Sequence, residues 1–595
     1  MPRQDDAADR VDEVVDRLPL VDDRTTLLLM VVTAAALLAR LVILGDRIAH
    51  FDEARVAYWS YHFMETGEFH YRYIIHGPFV QHVNALLFAV LGSNDFTMRL
   101  VVAVIGGLLP LSVLLFREHL RDAEMVATAL FLSFNPILLY YSRFFRSTVP
   151  VAAFSLVAFG FLVRLSDTGR VRYLYGATGF LALAFATKEN AVVYLVVWIG
   201  ASALLLDYGL YRPRNARTGL QWLRHTWGDT VSDHEGRRAV YRYVFHLLLA
   251  GVLFFVIVLY FYAPRAGGEG GIGLWKSLGA GRLMPLVDAT WQDVRAGFEY
   301  WLGGALEDPS GYDTIVDRYV DFLWLVLRAI RDYSATLVAF AVFGFAVERY
   351  ASERGSNLVM FASYWGVVSV LGYPLGTDIK NAWIAVNALV PLAIPAGVGL
   401  GLLYRWGRDA LEEEDWISVA LVVVVLVLVS GIVASIGVSA VYTNSQAPSN
   451  GLVQYAQPAT DFHPTIRDVR TLAAKNEGVD LFFYGSTLVN RGGRFPPGCT
   501  RITNTLPLEW YLVINDVEAS CGTSDRALRN ATMGGTPPPV VITTTNDARE
   551  VSERLPDYEK RVIYLRTLPR YNPRGPKPAS PRAVFLDTDR LNSSG

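Results

Sequence analysis

Cysteine is nearly missing from this chain: two in 595 residues, Cys499 and Cys521, both in the last fifth. So few exclude a zinc module or a scaffold stapled by many bridges. They leave room for one disulfide, if that region lies outside the cytoplasm. An excess of charge of either sign is missing too. The 54 Lys and Arg against 56 Asp and Glu give a formal net charge of -2, which argues against a nucleic-acid partner. Residues 1–26 are polar and Asp-rich, without a basic stretch leading into a short apolar segment and cleavage site. They read as a cytoplasmic tail, not a signal peptide. No internal repeat of fixed period is visible.

What the chain has is apolar length, with 52% hydrophobic residues. That composition predicts an α-helical polytopic membrane protein. Spans are expected at 27–44, 97–116, 124–141, 149–165, 173–187, 190–207, 243–262, 333–348, 357–375, 383–404 and 416–438, about eleven helices, and 318–331 is a candidate to dip into the bilayer. With the N-terminus cytoplasmic, Arg117, Arg121, Arg170, Arg172, the basic loop 208–242, Arg349, Arg354, Arg405 and Arg408 all fall inside, as the positive-inside rule asks. The outer side then holds the loops 46–96 and 263–317 and everything from 445 to 595. In that last region Leu481–Tyr484, Val540–Ile542 and Val562–Leu565 read as buried strands. The stretches 464–475 and 546–555 read as helices, making a small extracytoplasmic α/β domain after a 27–440 membrane domain. Asn530-Ala531-Thr532 and Asn592-Ser593-Ser594 are sequons compatible with that side.

Against this background one feature is anomalous. Asp52-Glu53 stands at the exit of the first span, where carboxylates are costly to desolvate. Asp52 can N-cap a helix from Glu53 to Glu65 that ends at Gly67, with Val56, Trp59 and Phe63 on a greasy face. Tyr71, Tyr73, His76-Gly77-Pro78, His82 and Asn84 follow. They suit a sugar, although an interfacial aromatic belt accounts for part of them. Arg143, Arg146, Lys188 and Lys380 sit at outer edges, where the topology expects few cations. Singly each reads as a snorkelling helix end; together they suit a lipid-linked phosphate. A positioned Asp can take the proton of an attacking acceptor hydroxyl, and cations can stabilise a departing phosphate. One such attack inverts the anomeric centre.

The acidic pair after the first span, with His76-Gly77-Pro78, Arg99, Ser142-Arg143 with Arg146, Thr187-Lys188-Glu189 and Lys380-Asn381-Ala382-Trp383-Ile384, resembles the GT-C glycosyltransferases, in the protein-mannosyltransferase and aminoarabinose-transferase branch. Pro507-Leu508-Glu509-Trp510-Tyr511-Leu512 is similar to a Pro-x-x-Trp-Tyr-Leu element, and the whole looks most like the archaeal flippase-activity-associated proteins of protein glycosylation. The resemblance implies an inverting transferase that moves a mannose-like hexose from a polyprenyl- or dolichyl-phosphate donor to a glycan or glycoprotein acceptor on the outer face of the plasma membrane. It implies Asp52 as base with Glu53 beside it, and Arg143, Arg146, Lys188 and Lys380 on the donor phosphate. His76, Tyr73, Arg99 and Glu189 would bind substrate. Two departures stand out: Asn-Ala follows Lys380 where the family has Thr-Pro, and the first proline of His-Pro-Pro is absent. The Trp-Trp-Asp element of oligosaccharyltransferases is absent, the first loop has no Asp-x-Asp, and Asp587-Thr588-Asp589 reads as a solvated tail. No metal or other cofactor is expected. The competing reading is an accessory part in translocating lipid-linked sugars. A transporter would show repeated halves and midplane charges in interrupted helices. Pro110, Pro136, Pro391 and Pro395 do interrupt spans, yet the unusual charges gather at one edge.

Overall fold

The computed structural model describes residues 24–211, 234–265, 271–303, 314–351, 355–375, 380–490, 498–533, 536–566 and 579–592. Nearly all of the polar tail and most of the basic loop 208–242 lie outside these residues.

All eleven apolar segments are helical, but length sorts them. Among the described residues seven helices are long and apolar enough to cross a membrane, or eight if the bent pair Asp122–Phe134 and Pro136–Ser142 is one span. Arg172–Thr187 and Asn357–Gly372 have 16 residues each, roughly 24 Å of helix against a hydrocarbon core of about 30 Å. The 318–331 segment is the first half of one helix, Ile315–Ala346, interrupted by non-helical backbone at Ser334.

Burial separates the bundle's centre from its rim. The Ala382–Glu412 span is 83% buried, whereas Trp416–Thr443 is 0% and Tyr241–Tyr262 is 6% buried, as expected of helices turned towards lipid. Small residues make the central position possible. A Cβ on Gly397 would stand 1.9 Å from Thr128 Oγ1, and one on Gly401 2.7 Å from Glu124 Cγ. Four residues apart, the two glycines form a single stripe that lets the helices close up.

The break at Pro136 serves the site. Pro136 lacks an amide proton, so the chain turns by 53° there. Asn135 restarts the helix by accepting from the backbone N–H of Ile137 and Leu138 at 3.1 and 3.2 Å. Its amide also donates to Ser334 Oγ at 2.9 Å, joining the two interrupted helices at their interruptions. The restarted helix ends at Ser142 and delivers Arg143 and Arg146 to the first loop.

The C-terminal region is a mixed sheet in the order β2-β1-β3-β5-β4. Its strands are β1 (Leu481–Tyr484), β2 (Ala519–Gly522), β3 (Val540–Thr544), β4 (Glu559–Leu565) and β5 (Ser580–Leu586). β1 pairs parallel with β2 and β3, and β5 antiparallel with β3 and β4. Helices stand at His463–Ala473 and Ala548–Ser552. Two strands escaped the sequence reading. β2 is an edge strand of small residues, and β5 opens with Ser580-Pro581-Arg582. The reading of Asp587-Thr588-Asp589 as a tail is also corrected. Asp587 N–H donates to Pro539 O at 3.0 Å, its carboxylate holds Arg590 at 2.8 Å, and Thr588–Asn592 is helical. Cys499 and Cys521 form a disulfide that ties β2 to the segment before it.

Candidate active site

The helix after the first span runs from Phe51 to Thr66 and ends at Gly67, whose φ of 68° suits glycine. Its N-cap is His50, not Asp52. The Asp52 N–H donates to His50 Nδ1 at 2.9 Å, and Glu53 Oε2 accepts the His50 N–H at 3.0 Å. Histidine thus takes the place that Ser or Thr fills in the usual capping box. The expected cap role of Asp52 is corrected, which leaves its carboxylate free of any backbone duty at the helix start.

Glu53 is consumed by structure. Arg99 grips it bidentately, Nε to Oε1 and Nη2 to Oε2 at 2.9 Å each. Arg47 Nη2 and Phe145 N–H donate to Oε1 at 2.9 and 2.8 Å. Burial pushes this carboxyl up, but Arg47, Arg99 and the Phe145 amide outweigh it and bring it down to about 2. Arg99 is fully buried and also holds the carbonyls of Leu44 and Arg47. Arg99, expected to bind substrate, and Glu53, expected beside the base, are thus engaged with each other and with the backbone of the loop. Arg143 is likewise engaged by backbone. Its guanidinium donates to the carbonyls of Ala39, Arg40, Val42 and Ile43 at 2.7–3.1 Å, closing the unpaired end of the first helix.

Asp52 is different. It is 2% exposed, and Arg55 Nη2 meets Oδ1 while Arg146 Nη1 meets Oδ2, both at 2.9 Å. Tyr455 O–H donates to Oδ2 at 3.3 Å. Burial pushes the carboxyl up, yet Arg146, Arg55, His50 and the Tyr455 hydroxyl together hold it at about 2. Arg55 and Tyr455 were missed in the sequence. Arg55 had a signal, three residues along the same helix face; Tyr455, 403 residues away, had none.

A second group is built on the His76-Gly77-Pro78 turn. Gly77 packs against the end of the Arg172–Thr187 helix, where a Cβ would stand 2.5 Å from Ala186 O and Thr187 C. That closeness brings His76 Nδ1 to 3.2 Å from Glu189 Oε2, with Tyr71 O–H donating to Oε1 at 2.5 Å. His76 has φ 67°, a strained value for a non-glycine residue, and stacks on Trp301 at 4.5 Å. Tyr73 lies 4.6 Å from the Tyr300 ring and is 38% exposed. Burial, then the charges of Lys188, Arg146 and Arg55, depress His76 well below its usual value. The two groups therefore share one electrostatic field. Lys380 is engaged by Asp321 of the Ile315–Ala346 helix.

Burial raises Glu189 from 4.5 to about 7, against hydrogen bonds from Tyr71 and its own amide and the charges of Lys188 and Arg146. Below about 7 the acid donates to neutral His76; above it the carboxylate must accept instead. A raised carboxyl binds more protons folded than unfolded. Its stabilisation is complete below 4.5 and is lost as pH climbs to 7. Melting temperature against pH should fall through that window in the wild type, and the slope should flatten in Glu189→Gln. An unchanged slope would remove Glu189 as its source.

The α/β domain is clamped to this end of the bundle by one carboxylate. Asp95 accepts Trp510 Nε1–H and Tyr511 O–H at 2.9 and 2.7 Å and pairs with His463 at 3.0 Å. The Tyr511 hydroxyl oxygen in turn accepts the Ala49 N–H at 2.7 Å. The Pro-x-x-Trp-Tyr-Leu element thus braces the loop that carries Asp52.

The fold is GT-C-like. It is similar to ArnT from Cupriavidus metallidurans in the apo state, with TM-score 0.53 and 13% identity over 96% of this chain and 100% of that one. The same protein bound to undecaprenyl phosphate gives TM-score 0.53 and 15% identity over 94% and 97%. Two segments carry more particular matches. Residues 75–220 match the family described as dolichyl-phosphate-mannose-protein mannosyltransferase, and residues 462–585 match the Agl23 flippase-associated protein C-terminal domain. No curated protein matches the chain.

Proposed function

We propose that this chain is an inverting glycosyltransferase. It takes a mannose-like hexose from a polyprenyl-phosphate donor and gives it to a glycan or glycoprotein acceptor at the outer membrane face. One observation carries the reading: a buried carboxylate, Asp52, held between two guanidiniums that a phosphate would compete for.

The chemistry follows from that competition. A donor phosphate draws Arg55 and Arg146 towards itself, with Lys188 close by. Asp52 stays buried while its counter-charges turn away, so its proton affinity rises and it becomes a useful base. The acceptor oxygen attacks the anomeric carbon, its proton goes to Asp52, and the carbon–oxygen bond to phosphate breaks with the electron pair on phosphate. The cations that leave Asp52 are the ones that stabilise the growing phosphate charge. His76, Glu189 and Trp301 offer a hydrogen-bonding and stacking wall suited to a sugar.

Mass spectrometry of glycoproteins and lipid-linked glycans from cells with and without the gene tests this. A glycan short by one sugar is the expected result. Full-length glycans with an accumulated, untranslocated lipid intermediate would instead make the chain an accessory to translocation, the role that the description of the 462–585 family suggests.

A further inference from the structure

Asp52 has three side-chain donors, and one is unlike the others. Arg55 and Arg146 are cations, whereas Tyr455 brings a neutral hydroxyl to Oδ2. Tyr455 belongs to the turn-rich linker between the last apolar helix and the α/β domain. That linker is pinned on both sides: Asn450 donates to Ala440 O at 2.8 Å, and Gln457 to Ile48 O at 2.9 Å. Burial, then the charge of Asp52, pushes the Tyr455 phenol far up, so it is always a donor.

His50 supplies a second sign. Its Nδ1 accepts the Asp52 N–H, so the ring proton sits on Nε2. The Nε2 atom is fully buried and has no hydrogen-bond partner among the described residues. Its ring meets the Tyr455 ring edge-on at 5.7 Å. A buried donor left unpaired is costly and points to an oxygen that arrives with a ligand.

Building on the transferase reading, we infer that the Tyr455 hydroxyl holds the place of the acceptor's nucleophilic hydroxyl, that the acceptor subsite lies among Asp52, His50 and the linker, and that the acceptor is an alcohol. An attacking hydroxyl must give a hydrogen bond to a carboxylate oxygen before it gives up its proton, and a phenol at Oδ2 already makes that bond. An amide nitrogen, with its lone pair delocalised, is a poor match for the group that fills this place. When acceptor enters, Tyr455 withdraws, and His50 Nε2–H gains an oxygen to donate to. The linker thereby keeps the base covered until an acceptor displaces it.

Full-length wild type and Tyr455→Phe in lipid nanodiscs are compared with dolichyl-phosphate mannose as donor and octyl α-mannoside as acceptor probe. Removing the competing hydroxyl should lower the acceptor KM roughly five-fold, the equilibrium worth of one intramolecular hydrogen bond, with kcat retained. An unchanged or higher acceptor KM with a fallen kcat overturns the inference and leaves Tyr455 as a support for Asp52. Binding of octyl α-mannoside without donor is the second readout. Equal affinity for the two proteins overturns the inference even if neither turns over. Tighter binding by the variant, with no transfer by wild type, would count against the transferase reading alone.

Discussion

Asp52→Asn should reduce sugar transfer by about 10²–10⁴-fold, the usual worth of a positioned general base, while the protein still folds and inserts. Both halves of that expectation rest on particular contacts. The helix that carries Asp52 is started by His50 and Glu53, so an asparagine at 52 removes no cap and keeps a side chain of nearly the same shape. It does remove the charge between Arg55 and Arg146. Donor phosphate should then meet less competition, and donor affinity should hold or tighten as turnover collapses. Initial rates with a polyprenyl-phosphate sugar, alongside donor binding and size-exclusion behaviour, make the check. Wild-type rates in a well-folded Asp52→Asn protein would remove Asp52 as the base.

Glu53→Ala should act on the fold rather than on the chemistry. Arg99 and Arg47 would lose the carboxylate that neutralises them, and Arg99 is fully buried. Breaking a buried pair from one side costs about 3–5 kcal/mol, because the charge left behind has no water to turn to. The His50 and Phe145 amides would lose their acceptor as well. Thermal unfolding in detergent should show a large drop, with proteolysis appearing in the 46–60 region before the rest of the bundle opens. A Glu53→Ala protein as stable as wild type, yet inactive, would return Glu53 to the chemistry. The adjacent acids thus differ in their partners: Glu53 meets Arg47, Arg99 and the Phe145 amide, and Asp52 meets Arg55, Arg146 and the Tyr455 hydroxyl.

The fold was legible wherever one local property decides it. Apolar runs placed the helices, because a membrane rewards each run independently of its neighbours. They mark a helix without fixing its length, and Arg172–Thr187 stops after 16 residues. Strands β1, β3 and β4 were visible as dense apolar runs; β2 was not, since an edge strand needs little apolar surface. In the site, the order of acids and cations along the chain picked out residues that the structure brings together, Asp52 with Arg146 and Glu53 with Arg99. It could not rank Arg143 against Arg146. The two stand three residues apart, and only the end of the first helix decides that Arg143 is spent on carbonyls while Arg146 reaches Asp52.

By itself the sequence determined that the chain is a polytopic helical membrane protein with an α/β appendage, and that an acidic pair follows the first apolar segment. Composition and spacing suffice for these, being properties of short segments. The tertiary structure alone decided which donors each acid meets. Arg99 and Phe145 come from distant elements to Glu53, whereas Tyr455, from a linker far along the chain, brings a hydroxyl to Asp52. A carboxylate's role is set by which donors converge on it in three dimensions, and convergence across 403 residues leaves no mark on local pattern.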